Sequence, residues 1–536
     1  MSSWKKLSKT YKPSKSYLPA HKPSQPIVRG FDEAVLRLAD NMIVNDLQPE
    51  YYYSLNAVVN EAIDAHREVI DSDEDVYLHV IETMTPIALE CQKALAALYI
   101  FDRLAPHKGK DFVNELLQMI NPRWRLLVLE ILKKPADELK LKHKGWGRRA
   151  RALARDLILK LEPFQVMKYA KHVKNLARWA HLNPELPQVN FVFENWKKDE
   201  EAKKKLMQTH SIYRDYISMW ELSKDGEIPL SAVRSSSLPY TILKGFLGQL
   251  INKPEYFKAL LPKMTVWEVI LSLRQIENRG LMDDVEVRTF IKNKLKTEHL
   301  KNLRIDLREL FQAYKAVRNE FTREILYDVI CNQLEELKNS LKPLLKELKI
   351  GIAIDQSGSM LNVIENSLAL GFALANGGAK KVKVVTFSEI AYDIPVPKNP
   401  KDLIKLIDQL RPLGSTSIGA GMKKALEIDP DILIVISDME QNTEPWSEEV
   451  WKEYVKRKGK KPIVIALKFT TSPKEAVGEI QAMIRGRWLN IGEDENDFVV
   501  RNTWDIVRII EYVLKLKVKI LEISKKRRKK KAKKKT

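Results

Sequence analysis

Asp355-Gln356-Ser357-Gly358-Ser359 places a carboxylate and two hydroxyls at every second position, a spacing that can turn all three into one loop. Thr416, within Gly414-Ser415-Thr416-Ser417, and Asp438, directly after the apolar run Ile432–Ser437, offer two further oxygen donors. Together Asp355, Ser357, Ser359, Thr416 and Asp438 predict an open site for one divalent cation. A set made only of oxygens selects Mg²⁺, Mn²⁺ or Ca²⁺ over zinc. Two carboxylates neutralise the ion, and the short ligand list leaves coordination positions for water or for an acidic group of a partner. One Ser of such a triplet would also serve as a helix N-cap, so the reading rests on three separate segments rather than on the triplet. No His, Cys or Lys lies nearby in the sequence to act as general base or nucleophile, and the pattern therefore reads as recognition rather than catalysis. A two-metal nuclease would need several carboxylates around adjacent ions, and only two are offered here.

A second constellation is basic. Arg148, Arg151 and Arg155 recur three and four apart and share one face of a helix expected over Gly147–Leu161, with Ala152, Leu153 and Leu157 left for packing. The next helix, expected over Gln165–His181, presents Lys168, Lys171, His172, Asn175 and Arg178 at similar spacing and ends at His181. From Lys133 to Arg178 there are fourteen Lys and Arg against four acids, a net of +10. Helix charge runs are commonly solvated faces, but those usually carry acidic partners four residues away, and here such partners are almost missing. Two neighbouring basic stripes suit a phosphate backbone.

The elements that must position these residues differ between the two parts of the chain. From about 30 to 346 the apolar spacing is helical, as in Phe31–Asp46, Tyr52–Val69, Tyr77–Arg103, Lys110–Ile120, Pro122–Lys133 and Phe321–Lys346, with Pro in many short connections. Successive helix pairs without strands predict a solenoid or bundle. After 346 short β-branched runs appear: Leu348–Ile354, Val382–Ser388, Ile432–Ser437 and Ile463–Lys468, with a further strand suggested at Trp488–Ile491. Helical stretches at 361–376, 401–410, 417–427, 446–457, 473–485 and Asn502–Leu516 separate or follow them. This alternation predicts a parallel sheet covered on both faces. Asp355 and Asp438 then stand at the C-terminal ends of two strands, the edge where open α/β sheets place ligands.

The 536 residues, 44% hydrophobic and 30% charged, suffice for two or three domains with proper cores. The net charge of +21 is concentrated at the ends: residues 525–536 carry ten basic residues, and residues 1–29 carry seven with no acid. Such tails attach weakly and salt-sensitively to polyanions, or simply keep a protein in solution. Two distant cysteines, Cys91 and Cys331, give no disulfide framework and no zinc spacing, which points to a reducing compartment. Neither a signal peptide nor a membrane span is expected. The expected organisation is a basic arm over 1–29, a helical domain over 30–346, an α/β domain over 347–518 and a basic tail over 519–536.

The DxSxS, Thr and Asp pattern resembles the metal-ion-dependent adhesion site of the von Willebrand factor A fold, across roughly 347–518. Gly145-Trp146-Gly147-Arg148, Lys168-Tyr169 and Arg178-Trp179-Ala180-His181-Leu182-Asn183-Pro184 resemble the TROVE module of the Ro autoantigen family, and Met264–Arg274 is loosely similar to another of its helices. The order of the two domains also matches that family. Some details depart: the interval from Lys168-Tyr169 to His181 is shorter, His172 stands where animal members have arginine, and an N-terminal tyrosine element is reduced to Glu50-Tyr51-Tyr52-Tyr53. The resemblance implies an all-α, HEAT-like helical ring or solenoid followed by a Rossmann-like von Willebrand factor A domain holding Mg²⁺. It also implies that Lys168, His172 and His181 contact RNA, with Arg148, Arg151, Arg155, Lys171 and Arg178 adding to the basic surface.

The resulting expectation is a non-catalytic, monomeric RNA-binding protein. It would bind small structured Y-like RNAs and single-stranded 3′ ends of misfolded noncoding RNAs, with a protein partner such as an exoribonuclease at the metal site. It would be cytoplasmic, or nuclear in a eukaryote. The alternative is a metal-dependent adaptor that captures an acidic side chain of a partner protein, its basic surface incidental.

Overall fold

The computed structural model describes residues 30–45, 55–104, 120–122, 124–126, 146–224, 226, 228–296, 300, 303–362, 364–409, 414–469, 488–491, 495–500 and 502–523. The basic arm over 1–29, the tail from 524, the helix expected at 473–485 and almost all of those expected over 110–133 lie outside these residues.

Helices carry the described chain from Phe31 to Leu345. The first are Phe31–Val44, Leu55–Ser72, Glu74–Met84 and Glu90–Leu104. The stretch Tyr77–Arg103 is thus two helices rather than one. Pro86 has no N–H to donate and its ring clashes with the preceding turn, so the chain breaks there, and Ile87 and Ala88 bond back to the Met84 carbonyl. Gln165–His181 is also divided, into Pro163–Lys168 and Ala170–Trp179, with Tyr169 stepping out of helical geometry at φ −111. Proline occupies the first helical turn at Pro163, Pro187 and Pro254, where its missing N–H leaves no bond unmade. Many of these helices pack on their neighbours in sequence, as Glu200–Thr209 does on Ser211–Lys224 and Leu307–Ala316 on Glu320–Leu345, while others reach further, as Val266–Asn278 does to Leu307–Ala316. Among the described residues no helix is long and apolar enough to cross a membrane.

A buried polar network braces the N-terminal helices. The His66 ring meets the Tyr77 hydroxyl at 2.7 Å and Gln92 Oε1 at 3.1 Å, and it stacks on Tyr99. Gln92 in turn donates to the Asn45 carbonyl at 2.5 Å.

The 26-residue helix Glu320–Leu345 leads into the sheet. Its strands are β1 Lys349–Asp355, β2 Lys381–Phe387, β3 Ala391–Asp393, β4 Ile432–Ile436, β5 Ile463–Phe469 and β6 Glu495–Val500, in the order β3-β2-β1-β4-β5-β6. All pairs are parallel except β2 with β3, so the sheet is mixed, with one short antiparallel edge. Three residues are too few to show a period, which is why β3 escapes a reading by pattern. The sixth strand is Glu495–Val500 and not Trp488–Ile491. The backbone N–H groups of Leu489 and Ile491 are taken by the Glu495 carboxylate, at 2.7 and 3.4 Å, instead of by a neighbouring strand.

Alternation along the strands builds two cores. Ala353, Val385, Phe387, Leu433, Val435 and Ala466 face helices Ile418–Ala425 and Ser447–Lys458. Ile350, Ile352, Ile354, Ile434 and Leu467 face the other way, toward helices Ile364–Ala375 and Asp505–Glu511. This second core is continuous with that of the helical part. The last helix passes through a wide π turn at Tyr512–Leu516 and runs on to 523, beyond the expected end at Leu516.

The α/β part touches both ends of the helical part. Trp504 Nε1 donates to the Ile305 carbonyl at 3.0 Å, and Lys315 pairs with Glu365. At the other end, the helix Phe31–Val44 lies against β6, and the Tyr512 hydroxyl donates to Asp40 at 2.7 Å.

Candidate metal centre and nucleic-acid interface

Asp355 is the last residue of β1 and is fully buried. Its two oxygens are held separately: Oδ1 accepts from the Ser357 backbone N–H at 2.7 Å, and Oδ2 accepts from the Ser437 hydroxyl at 2.5 Å. The Ser357 and Ser359 hydroxyls stand 3.1 Å apart in the loop that follows, Ser357 buried and Ser359 exposed. Ser437 joins the strand ends, because its hydroxyl also receives the Met439 N–H at 2.9 Å and lies 3.4 Å from Asp438 Oδ1. Asp438 is half-buried, and the chain turns sharply after it through Met439 at φ 64, a conformation that side chains other than Gly adopt at a cost.

Thr416 comes from a third segment. The Gly358 N–H bonds to the Gly414 carbonyl at 3.4 Å, tying the DxSxS loop to the loop before Thr416. The Thr416 N–H donates to Asn442 Oδ1 at 2.8 Å while the Asn442 N–H returns to the Thr416 carbonyl at 3.0 Å, so the loop after β4 fixes Thr416 too. Ser417 caps the helix Ile418–Ala425 by accepting from the Ala420 N–H. Gly419 and Gly421 let that helix lie close: a Cβ would overlap the Pro445 carbonyl at the first and the Phe387 ring at the second. The structure thus brings the segments of all five residues to one sheet edge. Two organisers, Ser437 and Asn442, were missed by the sequence reading. Adjacency to Asp438 was the available signal for Ser437, and Asn442 gave none.

The donor set suits a hard cation. Burial pushes the Asp355 carboxyl up to about 6, against hydrogen bonds from Ser437 and Ser357 that pull it down, and the nearby Asp438 adds to the rise. Among the described residues neither carboxylate is ion-paired with a Lys or Arg. Two carboxylates flanked by hydroxyls, with no cationic neighbour among the described residues, would suit a dication. Among the described residues there is no group of three His, Cys, Asp or Glu suited to a metal, so an ion held at this edge would rest on hydroxyls as much as on carboxylates.

The basic residues lie on helices Trp146–Leu159, Pro163–Lys168 and Ala170–Trp179. Arg148, Arg155, Lys168, Lys171, His172, Arg178 and His181 are exposed, while Arg151 is half-buried. Among these helices the described ion pair is the exposed Lys160–Asp156, at 3.7 Å, which leaves the stripe uncompensated. The roles nevertheless divide. Arg151 lies over the Trp179 ring at 6.0 Å, and Arg155 Nε donates to the Ala180 carbonyl at 2.9 Å. These two arginines lock the helix Trp146–Leu159 to the helix Ala170–Trp179. Arg148 and Lys171 are exposed without such a contact among the described residues, whereas the exposed Lys168 and Arg178 lie over rings, Lys168 over Tyr169 at 5.6 Å and Arg178 over Phe193 at 5.7 Å. Gly145 lies outside the described residues.

His181 sits in the left-handed region at φ 52. Its N–H bonds to the Arg178 carbonyl and the Leu182 N–H to the Ala177 carbonyl, at 3.3 and 3.0 Å. This pair of bonds is the Schellman closure of a helix C-terminus, with His181 in the place usually given to Gly. Its ring is therefore projected into solvent beside Arg178 by a backbone that the helix end dictates.

No known family model matches this chain, and no curated protein matches it at a significant level.

Proposed function

We propose that this chain is a non-catalytic RNA-binding protein of the Ro type, with a HEAT-like helical part and a von Willebrand factor A-like part that holds one Mg²⁺. The observation that carries the reading is the uncompensated row of Arg148, Lys168, Lys171 and Arg178 on folded helices, with the exposed His181 ring at its end. Cations carried on neighbouring folded helices can meet successive phosphates, and an exposed imidazole can stack on an unpaired base. Structured small RNAs and single-stranded 3′ ends are the ligands this surface suits. Asp355, Ser357, Ser359, Thr416 and Asp438 would hold the cation, which when bound supplies an electrophilic docking point for an oxygen ligand. The test is direct. Purified full-length protein should carry RNA, read as absorbance at 260 against 280 nm. Replacing Lys168, Lys171 and Arg178 together by Gln should lower affinity for a structured RNA by at least about tenfold at moderate salt. Unchanged affinity in a folded variant would remove the proposal.

A second reading is favoured by the geometry of the metal edge. Asp355 is buried, but Ser359 is exposed and Asp438 half-buried, so the coordination sphere opens outward. An acidic side chain of a partner protein, such as an exoribonuclease, would complete it. Metal-dependent capture of a protein with no RNA bound would put this reading first.

A further inference from the structure

Beyond the basic helices runs a line of aromatic rings whose open faces are covered by cations. Phe193 ends the helix Pro187–Phe193, with the Arg178 guanidinium 5.7 Å and the Lys174 ammonium 5.9 Å from its centroid. Four residues on, Lys197 lies 5.3 Å from the Trp196 ring and 5.2 Å from that of Trp220, and Lys224 sits 3.5 Å from the Trp220 centroid. Trp196 is buried and meets Trp220 edge to face at 4.9 Å. It anchors Trp220 in place. Phe193 and Trp220 are half-buried, whereas Arg178, Lys197 and Lys224 are exposed.

An exposed ammonium can rest on a ring only where that ring faces solvent. The solvent faces of Phe193 and Trp220 are thus covered by flexible cationic side chains and not by the core. Lifting Lys174 and Arg178 from Phe193 or Lys224 from Trp220 costs little, since an exposed cation–π contact is weak, whereas Lys197 is held in addition by the Glu194 carboxylate at 2.6 Å. A planar base of similar size would gain a stacking surface, and the displaced cation would find a phosphate within reach. Arg178 belongs both to the basic row and to this line, so the two are continuous.

We propose that Phe193 and Trp220 are stacking positions for unpaired bases of single-stranded RNA, with Lys174, Arg178, Lys197 and Lys224 moving from ring faces to phosphates. The proposal rests on the RNA-binding reading and deepens it. Bases within a duplex are already stacked on one another and offer no free face, so this line serves single strands, whereas the basic helices serve either form.

The experiment uses the full chain and two labelled probes, a short unstructured RNA and a blunt RNA duplex of equal length, at about 150 mM salt. Phe193→Leu with Trp220→Leu keeps apolar bulk and removes the stacking faces. Affinity for the single strand should fall about tenfold or more, with the duplex affinity held within about twofold. Trp220→Phe, which retains a ring, should keep most of the single-strand affinity. Lys197→Gln with Lys224→Gln should flatten the salt dependence for the single strand by about 0.7 in log–log slope per lost contact. Three results overturn the proposal: a folded Leu double variant that binds the single strand like wild type, equal losses for both probes, or Trp220→Phe as damaging as Trp220→Leu. If the wild-type protein binds neither probe, the RNA-binding reading falls and takes this one with it. If both probes respond to Lys168, Lys171 and Arg178 but not to the rings, only this one falls.

Discussion

Arg155 Nε donates to the carbonyl of Ala180 at 2.9 Å, so a residue that belongs by spacing to the basic row closes the C-terminus of the helix Ala170–Trp179. Arg148, two turns earlier on the same face, is exposed and has no such anchor among the described residues. The two should separate experimentally. Arg155→Met should lower stability by about 1 kcal/mol, the typical net value of one hydrogen bond, visible in a urea titration. Arg148→Met should leave stability unchanged and weaken RNA binding instead. Equal effects of both on both properties would erase the division of roles.

His181 allows its ring and its backbone to be tested apart. A non-Gly residue in the left-handed region is disfavoured by about 1–2 kcal/mol, and Gly relieves this strain. His181→Gly should therefore keep or slightly raise the melting temperature while weakening binding to RNA. His181→Val, β-branched, should destabilise the helix end in circular dichroism. Wild-type RNA affinity in His181→Gly would leave the imidazole with a capping role alone.

The metal edge predicts coupled effects of ion and carboxylate. Mg²⁺ at about a hundred times its dissociation constant should stabilise the wild-type protein by about 2.7 kcal/mol, measured as a shift in thermal unfolding. Asp355→Ala or Asp438→Ala should abolish that shift and the heat of Mg²⁺ binding in calorimetry, with helicity retained. A variant lacking both carboxylates that still binds Mg²⁺ with wild-type affinity would dismiss the assignment.

Acid should loosen the N-terminal helices through His66. Burial lowers its pKa from 6.5 to about 4, with the Gln92 bond opposing only in part. The folded-state value lies below the unfolded one, so the unfolded chain takes up the proton first as pH falls. The stability that the neutral ring supplies is whole above about pH 6.5, declines toward pH 4 and then levels, a total of about 3 kcal/mol. His66→Phe should flatten urea-derived stability over that window. An unchanged slope would show that another group carries it.

That Asp355, Ser357, Ser359, Thr416 and Asp438 belong to segments meeting at one sheet edge was legible in the sequence because those segments are short and local. Asp355-Gln356-Ser357-Gly358-Ser359 lies on one turn after an unmistakable apolar run, and Asp438 follows another. What fixes them was not legible: Ser437 and Asn442 act through contacts that no spacing announces, reaching Asp355 and Thr416 from the loop after β4. The helix faces could be read from periodicity, but the breaks at Pro86 and Tyr169 depend on single residues within otherwise continuous patterns. Glu495 hid β6, since a strand that opens on Glu-Asn-Asp reads as a loop until its carboxylate is seen holding Leu489 and Ile491. The cation-covered faces of Phe193 and Trp220 join residues from three α-helices and the short turn Asn195–Lys197, a relation that only tertiary structure supplies.

The bond from Tyr512 to Asp40 spans 472 residues, and this sets a schedule for biosynthesis. At roughly 5–20 residues per second, a ribosome needs about 25 to 95 seconds to extend the chain from the first helix to its last partner. Through that interval the surface of Phe31–Val44 destined for β6 has nothing to cover it. Helices that pack on sequence neighbours can assemble as they emerge, but this closure against the α/β part waits until Tyr512 has been made. The nascent chain therefore presents that surface to solvent or to a chaperone for the whole of this interval, and folding of the α/β part against it is the event that ends the exposure.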